Sequence, residues 1–308
     1  MPEQHFLTPP ETRTTRLPAW FKVTARTGKN YLKIRRLTEV FKLHTVCEEA
    51  RCPNIWECWN AGTATFMLLG EICTRSCGFC NVKLGRPETL NPDEPAYVAE
   101  AVNRLALRHA VITSVNRDEL ENGGAEIFAE TIQKIREKRP GCTVEVLIPD
   151  FQGKKTAVDL VLSQCPDILA HNLETVPRLY RRVRPQAVYT RSLQVLSWAK
   201  SSGLVTKTGL MLGLGESTEE VRSVMADLVG IGCDILTLGQ YLQPTAKHLP
   251  VERFVAPSEF DELKRLGEEM GLTHVESGPL VRSSYHSERQ TETVHLKAKS
   301  VLSISNPF

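Results

Sequence analysis

Six of the nine cysteines in this 308-residue chain fall within 34 residues, in two runs of three. The second run reads Cys73-Thr-Arg-Ser-Cys77-Gly-Phe-Cys80, a C-x3-C-x2-C loop, and the first is Cys47-x4-Cys52-x5-Cys58. Three thiolates on one tight loop suit three irons of a cubane iron–sulfur cluster and leave the fourth iron without a cysteine. Zinc generally takes four protein ligands, often from paired C-x2-C sets, whereas each run here offers three cysteines and no fourth close in sequence. His44 precedes the first run, but a lone histidine beside a cysteine is more often incidental. The iron–sulfur reading is therefore favoured over zinc, and over purely structural thiols. The remaining Cys142, Cys165 and Cys233 stand at strand or helix boundaries, where a free cysteine is expected to be a small buried apolar residue.

An odd, clustered cysteine count argues for metal or catalytic thiols in a reducing compartment. The N-terminus, MPEQHFLTPPETRTTRLP, has no apolar core before a small-residue cleavage site, so a cytoplasmic location is expected. No apolar run is long enough to span a membrane. A net charge of +2 gives no global argument for nucleic acid. Locally the charge is uneven: between Glu11 and Thr45 there are nine Lys or Arg against two Asp or Glu. Residues 1 to 60 read as an irregular extension wrapping the domain, or as a docking surface for an acidic protein partner.

From residue 64 short apolar runs alternate with segments of helical period. The runs are Thr65–Gly70, Ala110–Val115, Thr143–Ile148, Asp167–Asn172, Thr206–Gly213 and Ile235–Leu242. Helical candidates between them are Ala96–Leu107, Ala125–Lys138, Thr190–Ser201 and Thr218–Ile231, the last opened by Ser217 as a capping hydroxyl. Six strand–helix units in series imply a parallel sheet, either an incomplete barrel or a doubly wound sheet. In such folds ligands lie at the C-terminal ends of the strands. Cys73–Cys80, Asn116-Arg-Asp, Glu174, Gly213-Leu-Gly-Glu216 and Gln243-Pro244 all follow strands, so they would share one mouth.

The Cys73–Cys80 loop, with Phe79 before its last cysteine, resembles the radical S-adenosylmethionine (SAM) enzymes. The first run, Thr45-Val-Cys47-Glu-Glu-Ala-Arg-Cys52-Pro-Asn-Ile-Trp-Glu-Cys58-Trp, narrows the resemblance to the lipoyl synthase family. Further similar segments are Arg16-Leu-Pro-Ala-Trp, Arg117-Asp-Glu-Leu-Glu-Asn-Gly-Gly-Ala125, His171-Asn-Leu-Glu174, Lys207-Thr-Gly-Leu-Met-Leu-Gly-Leu-Gly-Glu216, Gln240-Tyr-Leu-Gln-Pro and Arg282-Ser283-Ser284-Tyr285-His286. Together, in this order, they are specific. One departure is Asn116, where the family leads us to expect an aspartate before Arg-Asp; it removes a possible charge near the mouth.

The resemblance implies an α/β fold: a partial (β/α)6 TIM-like barrel over 61–272, an N-terminal extension 1–60 carrying the first cysteine run, and a C-terminal extension 273–308. It also implies two 4Fe-4S clusters. The cluster on Cys73, Cys77 and Cys80 would bind SAM and supply the adenosyl radical; an auxiliary cluster on Cys47, Cys52 and Cys58 would donate sulfur. Its fourth iron would be bound by Ser283, with Ser284 the second choice. Phe79, Ser114, Glu174 and Met211 would line the SAM site. The bland alternatives are a helix-surface pair of Glu174 with Arg178, a plain core strand at Gly209–Gly213, and a turn hydroxyl at Ser283. The implied reaction inserts sulfur at C6 and C8 of a protein-bound octanoyl-lysine. The implied partners are octanoylated lipoyl domains or the glycine-cleavage H protein, an electron donor such as flavodoxin or ferredoxin, and an iron–sulfur carrier for cluster repair. Competing readings are another radical SAM enzyme, which should lack the first run in this form, and a non-catalytic cluster or zinc protein, which would need no barrel.

Overall fold

The computed structural model describes residues 17–23 and 27–290. Ten strands follow in chain order: β1 (His44–Thr45), β2 (Thr65–Leu68), β3 (Ile72–Cys73), β4 (Lys83–Leu84), β5 (His109–Ser114), β6 (Thr143–Leu147), β7 (Ile168–Ala170), β8 (Val205–Leu212), β9 (Ile235–Gln240) and β10 (His274–Gly278). Eight of them form one sheet in the order β1-β2-β5-β6-β7-β8-β9-β10. All pairings are parallel except β1 with β2. β1 and β10 are its two edges and do not pair, so the sheet is an unclosed barrel. β3 and β4 form a separate two-stranded ladder that brackets the second cysteine loop.

The six expected strands all form, and β10 adds a seventh parallel one. Its sequence, His-Val-Glu-Ser-Gly, buries only Val275, so no apolar run announces it. The helices Glu94–Leu105, Ala125–Lys138, Tyr189–Ser201 and Thr218–Gly230 lie within two residues of the expected ones. Ser217 caps the last with a complete capping box: its hydroxyl accepts from the Glu220 amide, and the Glu220 carboxylate accepts from the Ser217 amide.

The expected irregularity before residue 60 is corrected by a 13-residue helix, Lys29–Phe41. It buries Tyr31, Ile34 and Thr38 on one face while Leu32 and Val40 lie exposed, so its period was obscured by apolar residues on the solvent side and by its charges. Trp56 stacks on Tyr31 at 4.7 Å between ring centroids, and Trp59, fully buried, lies 5.1 Å from Tyr31. These rings fasten the short helix Ile55–Asn60, which carries Cys58, onto the long one. Cys142 and Cys233 are buried as expected, but Cys165 is exposed.

Side chains alternate across each strand. Ala110, Ile112, Val144 and Val146 join the apolar cluster shared with the helices, and Ile168, Val205 and Ile235 form a small cluster of their own. Beside that small cluster the barrel interior is polar, with Glu145 opposite Ile168 and Lys207 opposite Ile235 in the strand register. Glu145 and Lys207, 1% and 0% exposed, pair at 2.9 Å. His109 lies 3.6 Å from the same carboxylate, and Ser287 hydrogen-bonds to it. Burial alone would raise the Glu145 carboxyl, but Lys207 and His109 pull it down to about 2. Asp150, wholly buried, is likewise held at about 2 because Arg75 outweighs burial. Burial lowers His171 to about 4; its ring bonds to the Ile148 carbonyl and the Ser192 hydroxyl.

All three folded-state values lie below the free ones of 4.5, 3.8 and 6.5. Each group therefore contributes stability present above its free pKa and lost as pH falls through the folded value. Thermal unfolding of the metal-free chain should shift to lower temperature first between pH 6.5 and 4, then more steeply between 4.5 and 2. A transition temperature unchanged over that whole range would rule out the buried network.

Candidate metal and cofactor site

The second cysteine loop leaves β3 at Cys73 and is fixed by an arginine within it. Arg75, 4% exposed, donates two hydrogen bonds to Asp118 at 2.6 and 2.7 Å and lies 2.6 Å from Asp150. Two carboxylates from two neighbouring strand ends thus hold one guanidinium. The backbone is pinned on the other sides: the Gly78 amide donates to Val183, the Leu249 amide to Gly78, and His248 Nε2 meets the Cys80 carbonyl. The Arg75 and Asn116 amides both point at Cys73 Sγ, at 3.4 Å. Asn116 contributes through its backbone, since its carbonyl also accepts from the Thr74 amide and hydroxyl, while its side-chain oxygen has no partner. The aspartate expected there is therefore not needed to hold the loop.

Glu174 stands at the end of β7 with φ of 66°, a left-handed conformation uncommon for glutamate. It is kept there by bonds to β8 on both sides: its amide donates to Gly209 and its carbonyl accepts from Met211. Burial raises its carboxyl, offset by Arg184 and by the 3.0 Å bond from Asn172. The surface pair with Arg178 is absent, because Arg178 instead binds Glu220 and the Gly215 carbonyl. Gly209 fits beneath this arrangement: a Cβ there would meet Thr237 Oγ1 at 2.7 Å and Asn172 Oδ1 at 3.1 Å. Gly213, at φ of 96°, lets the next loop fold back so that its amide and that of Leu214 donate to Glu216, which is therefore occupied as a loop staple. Phe79 and Met211 are half-buried against the apolar cluster of β8 and β9.

The first run sits on short helices entered from β1. Thr45 caps Val46–Glu49, accepting from the Glu48 amide. Burial is the main cause that pushes the Cys47 thiol up to about 11, and Cys52 and Cys58 up as well, with mutual repulsion among the three adding to it for Cys47 and Cys58. Burial likewise raises Cys77, and Cys80 to about 12. Residues 280–286 lie across this run: Asn54, 1% exposed, donates to the Leu280 carbonyl at 2.6 Å, and Tyr285 and His286 both bind Glu57. Arg282 is close enough to both Cys52 and Glu174 to act on each, so it lies between the two sites. Ser283 and Ser284 are partly buried beside it.

The residues suit iron–sulfur clusters and a polar cofactor. Among the described residues, the one set of three metal-type donors within 4.8 Å of one another is His44, Glu49 and Glu71, and Glu71 is already paired with Lys83 at 2.7 Å. Each cysteine triad is spread more widely than that, whereas one zinc ion holds its thiolates about 3.8 Å apart. At the mouth, Ser114 Oγ, Asn116 Oδ1, Asn172 Oδ1 and Arg184 Nε are buried without partners, an unusual concentration of unspent polar groups at one place.

Residues 67–228 match the Radical SAM superfamily, and residues 4–52 match the N-terminal domain of lipoyl synthase of the Radical SAM family. The lipoyl synthase of Rubrobacter xylanophilus is 59% identical over 277 residues, covering 89% of this chain and 86% of that protein. The chain belongs to the lipoyl synthase family. The mitochondrial lipoyl synthase of Nematostella vectensis is 53% identical, covering 88% of this chain and 94% of that one. Solved structures share the fold at low identity. The hydrogenase maturase HydG of Carboxydothermus hydrogenoformans is 15% identical with a TM-score of 0.57, over 86% of this chain and 70% of that one. SuiB of Streptococcus suis bound to its precursor peptide is 11% identical with a TM-score of 0.55, over 69% and 48%. As a family member the chain is a radical SAM, sulfur-inserting enzyme that uses SAM and a 4Fe-4S cluster.

Sequence reasoning passed over Arg75, Arg184 and Asn54. Arg75 was legible as the one charge inside the cysteine loop; Arg184 and Asn54 carry no local signal. Replacing Arg75 by alanine removes the closer of the two cations on buried Asp150 and leaves it only Arg191 at 3.2 Å and the Gln152 amide, which costs about 1–3 kcal/mol. The denaturant midpoint of the metal-free R75A variant should fall accordingly; a midpoint within error of the parent would show that the ion pair does not hold the loop.

Proposed function

We propose that this enzyme inserts sulfur at C6 and C8 of an octanoyl-lysine carried on a lipoyl domain or a glycine-cleavage H protein. The observation that carries the reading is a further set of three thiols, Cys47 buried and Cys52 and Cys58 partly buried, with the Arg282–Tyr285 segment laid across it. When bound, a cluster on Cys73, Cys77 and Cys80 together with SAM supplies hydrogen abstraction, and an auxiliary cluster on Cys47, Cys52, Cys58 and Ser283 supplies sulfur.

The chain's own residues have positional tasks. Glu174, Asn172 and Arg184 offer a carboxylate, an amide and a guanidinium at one edge of the mouth, matched to the amine, carboxylate and ribose hydroxyls of SAM. Ser114 adds a free hydroxyl from the end of β5, and Phe79 and Met211 supply apolar contact for the adenine. Arg282, between the sites, provides positive charge next to thiolates and sulfides. A serine oxygen on the auxiliary iron is a harder, more easily lost ligand than a thiolate, which suits a cluster that gives up sulfur. Keeping both sites on one face lets an attacked carbon meet its sulfur source without leaving the protein.

The exposed Lys33 and Arg36 of the helix Lys29–Phe41, with Lys42 just after its end, offer basic groups suited to an acidic carrier. Flavodoxin or ferredoxin as reductant, an iron–sulfur carrier for repair and a cytoplasmic setting complete the reading. Among the described residues no helix is long and apolar enough to cross a membrane.

The decisive experiment is anaerobic. Iron–sulfide-reconstituted protein is given SAM, a reductant and an octanoylated lipoyl domain, and the carrier's intact mass is read. The expected gain matches two sulfurs for two hydrogens; deoxyadenosine without any mass change would reject the substrate. C77A should abolish deoxyadenosine formation. C52A should retain some of it yet give no thiolated product, and product from C52A would remove the auxiliary-cluster role. S283A should lose the dithiolane while S284A retains it; the reverse result would move the ligand to Ser284.

A further inference from the structure

Ser287 lies five residues beyond Arg282 and is wholly buried, yet it belongs to neither cysteine site. Its hydroxyl reaches into the barrel and donates to Glu145 on β6. The same oxygen accepts from Lys207 Nζ on β8 at 3.2 Å and lies 3.1 Å from His109 Nε2 on β5. Lys207 has three N–H donors. Two contacts go to the Glu145 oxygens, at 2.9 and 3.2 Å, and the third is the one to Ser287. A buried ion pair needs such extra bonds to offset its desolvation, and its best-attested use is to specify one register over others. The barrel interior thus has a polar socket, built by three strands, that accepts a hydroxyl from the C-terminal segment.

We propose that Ser287 is a positioning residue for the auxiliary site: its docking in the Glu145–Lys207–His109 socket sets where Arg282 and Ser283 lie over the first cysteine run. This rests on the reading of Ser283 given above. The chain spans at most about 3.3–3.6 Å per residue, so an anchor four residues away keeps Ser283 within about 14 Å of the socket. Other ties on this segment are the Asn54 bond to Leu280 and the Gln240 amide bond to Pro279 upstream, the bonds of Tyr285 and His286 to Glu57, which is 54% exposed, and the pair of Glu288 with Arg108, which is 78% exposed. An exposed tie holds weakly. Gly239 completes the arrangement: a Cβ there would meet the Val281 carbonyl oxygen at 2.0 Å, so only a bare backbone at β9 lets the segment pass this close.

The test is hydrogen exchange on the full chain, with and without reconstituted iron and sulfide, comparing the parent with S287A and S287T. In S287A the Tyr285 and Gln290 amides, which bond to Arg282 and His286, should exchange about tenfold faster, while amides of β5 to β9 stay as protected as before. Reconstituted S287A should hold about four irons rather than about eight, still form deoxyadenosine, and yield little thiolated carrier; S287T should restore the iron. Unchanged exchange at those two amides overturns the anchor. Faster exchange with a full iron complement overturns the positioning role and leaves a merely structural contact. If S287A does not fold, the E145M/K207M double variant, which removes both charges and leaves Ser287 without charged partners, should show the same local exchange. A parent that forms deoxyadenosine but no thiolated product would defeat the functional reading, and the exchange data would still decide the anchor.

Discussion

The Arg75 guanidinium, gripped by Asp118 and Asp150, is the constraint on which the mouth of this barrel depends. A loop of eight residues bearing three thiols has little to pack and much to repel. Placing one cation within it, and two anions on the strand ends beneath, converts a floppy excursion into a fixed platform. The cost is one wholly desolvated carboxylate, Asp150, and one partly buried, Asp118, which Arg75 offsets with help from Arg191 on the Asp150 side. Fold and site are therefore coupled: the strands that carry Asp118 and Asp150 must be in register before Cys73, Cys77 and Cys80 can face one another.

The barrel was legible because its strands obey a simple rule. Apolar runs such as Ala110–Ile112 and Ile168–Ala170 are buried on both faces, and the helices between them keep a clean period. The strand β10 was hidden because it buries one valine, and the helix Lys29–Phe41 because two of its apolar residues face solvent. Of the site, the cysteines were legible because spacing alone limits which metals they suit. Asn54 and Ser287 were not, because what matters about them is which distant residue they meet. No periodicity in one sequence carries that information, since the contacts of Asn54 and Ser287 span 226 and 142 residues.

The interior of the barrel is not uniform. Ile168, Val205 and Ile235 make a small apolar cluster. Level with it in the strand register, the socket of Glu145, Lys207 and His109 accepts the C-terminal segment. At the mouth, polar atoms without partners at Ser114, Asn116, Asn172 and Arg184 mark where a ligand would supply what the protein does not. A uniform aliphatic filling would be simpler to fold, and the departures from it mark where residues 280–290 and a cofactor would each meet the barrel.

The sheet's two edges, β1 and β10, lead directly into the two halves of the first cysteine site: Thr45 caps the helix bearing Cys47, and β10 runs on to Leu280 and Arg282. Contacts of such long sequence separation are the slowest to form, because loop closure precedes any reward. During synthesis the platform around Cys73–Cys80 and the strands through β9 can be complete while residues 280–287 are still unmade. A nascent chain thus passes through a stage in which one thiol triad is framed and the other lies open on one side, so the order in which the two sites become able to retain iron is written into the topology.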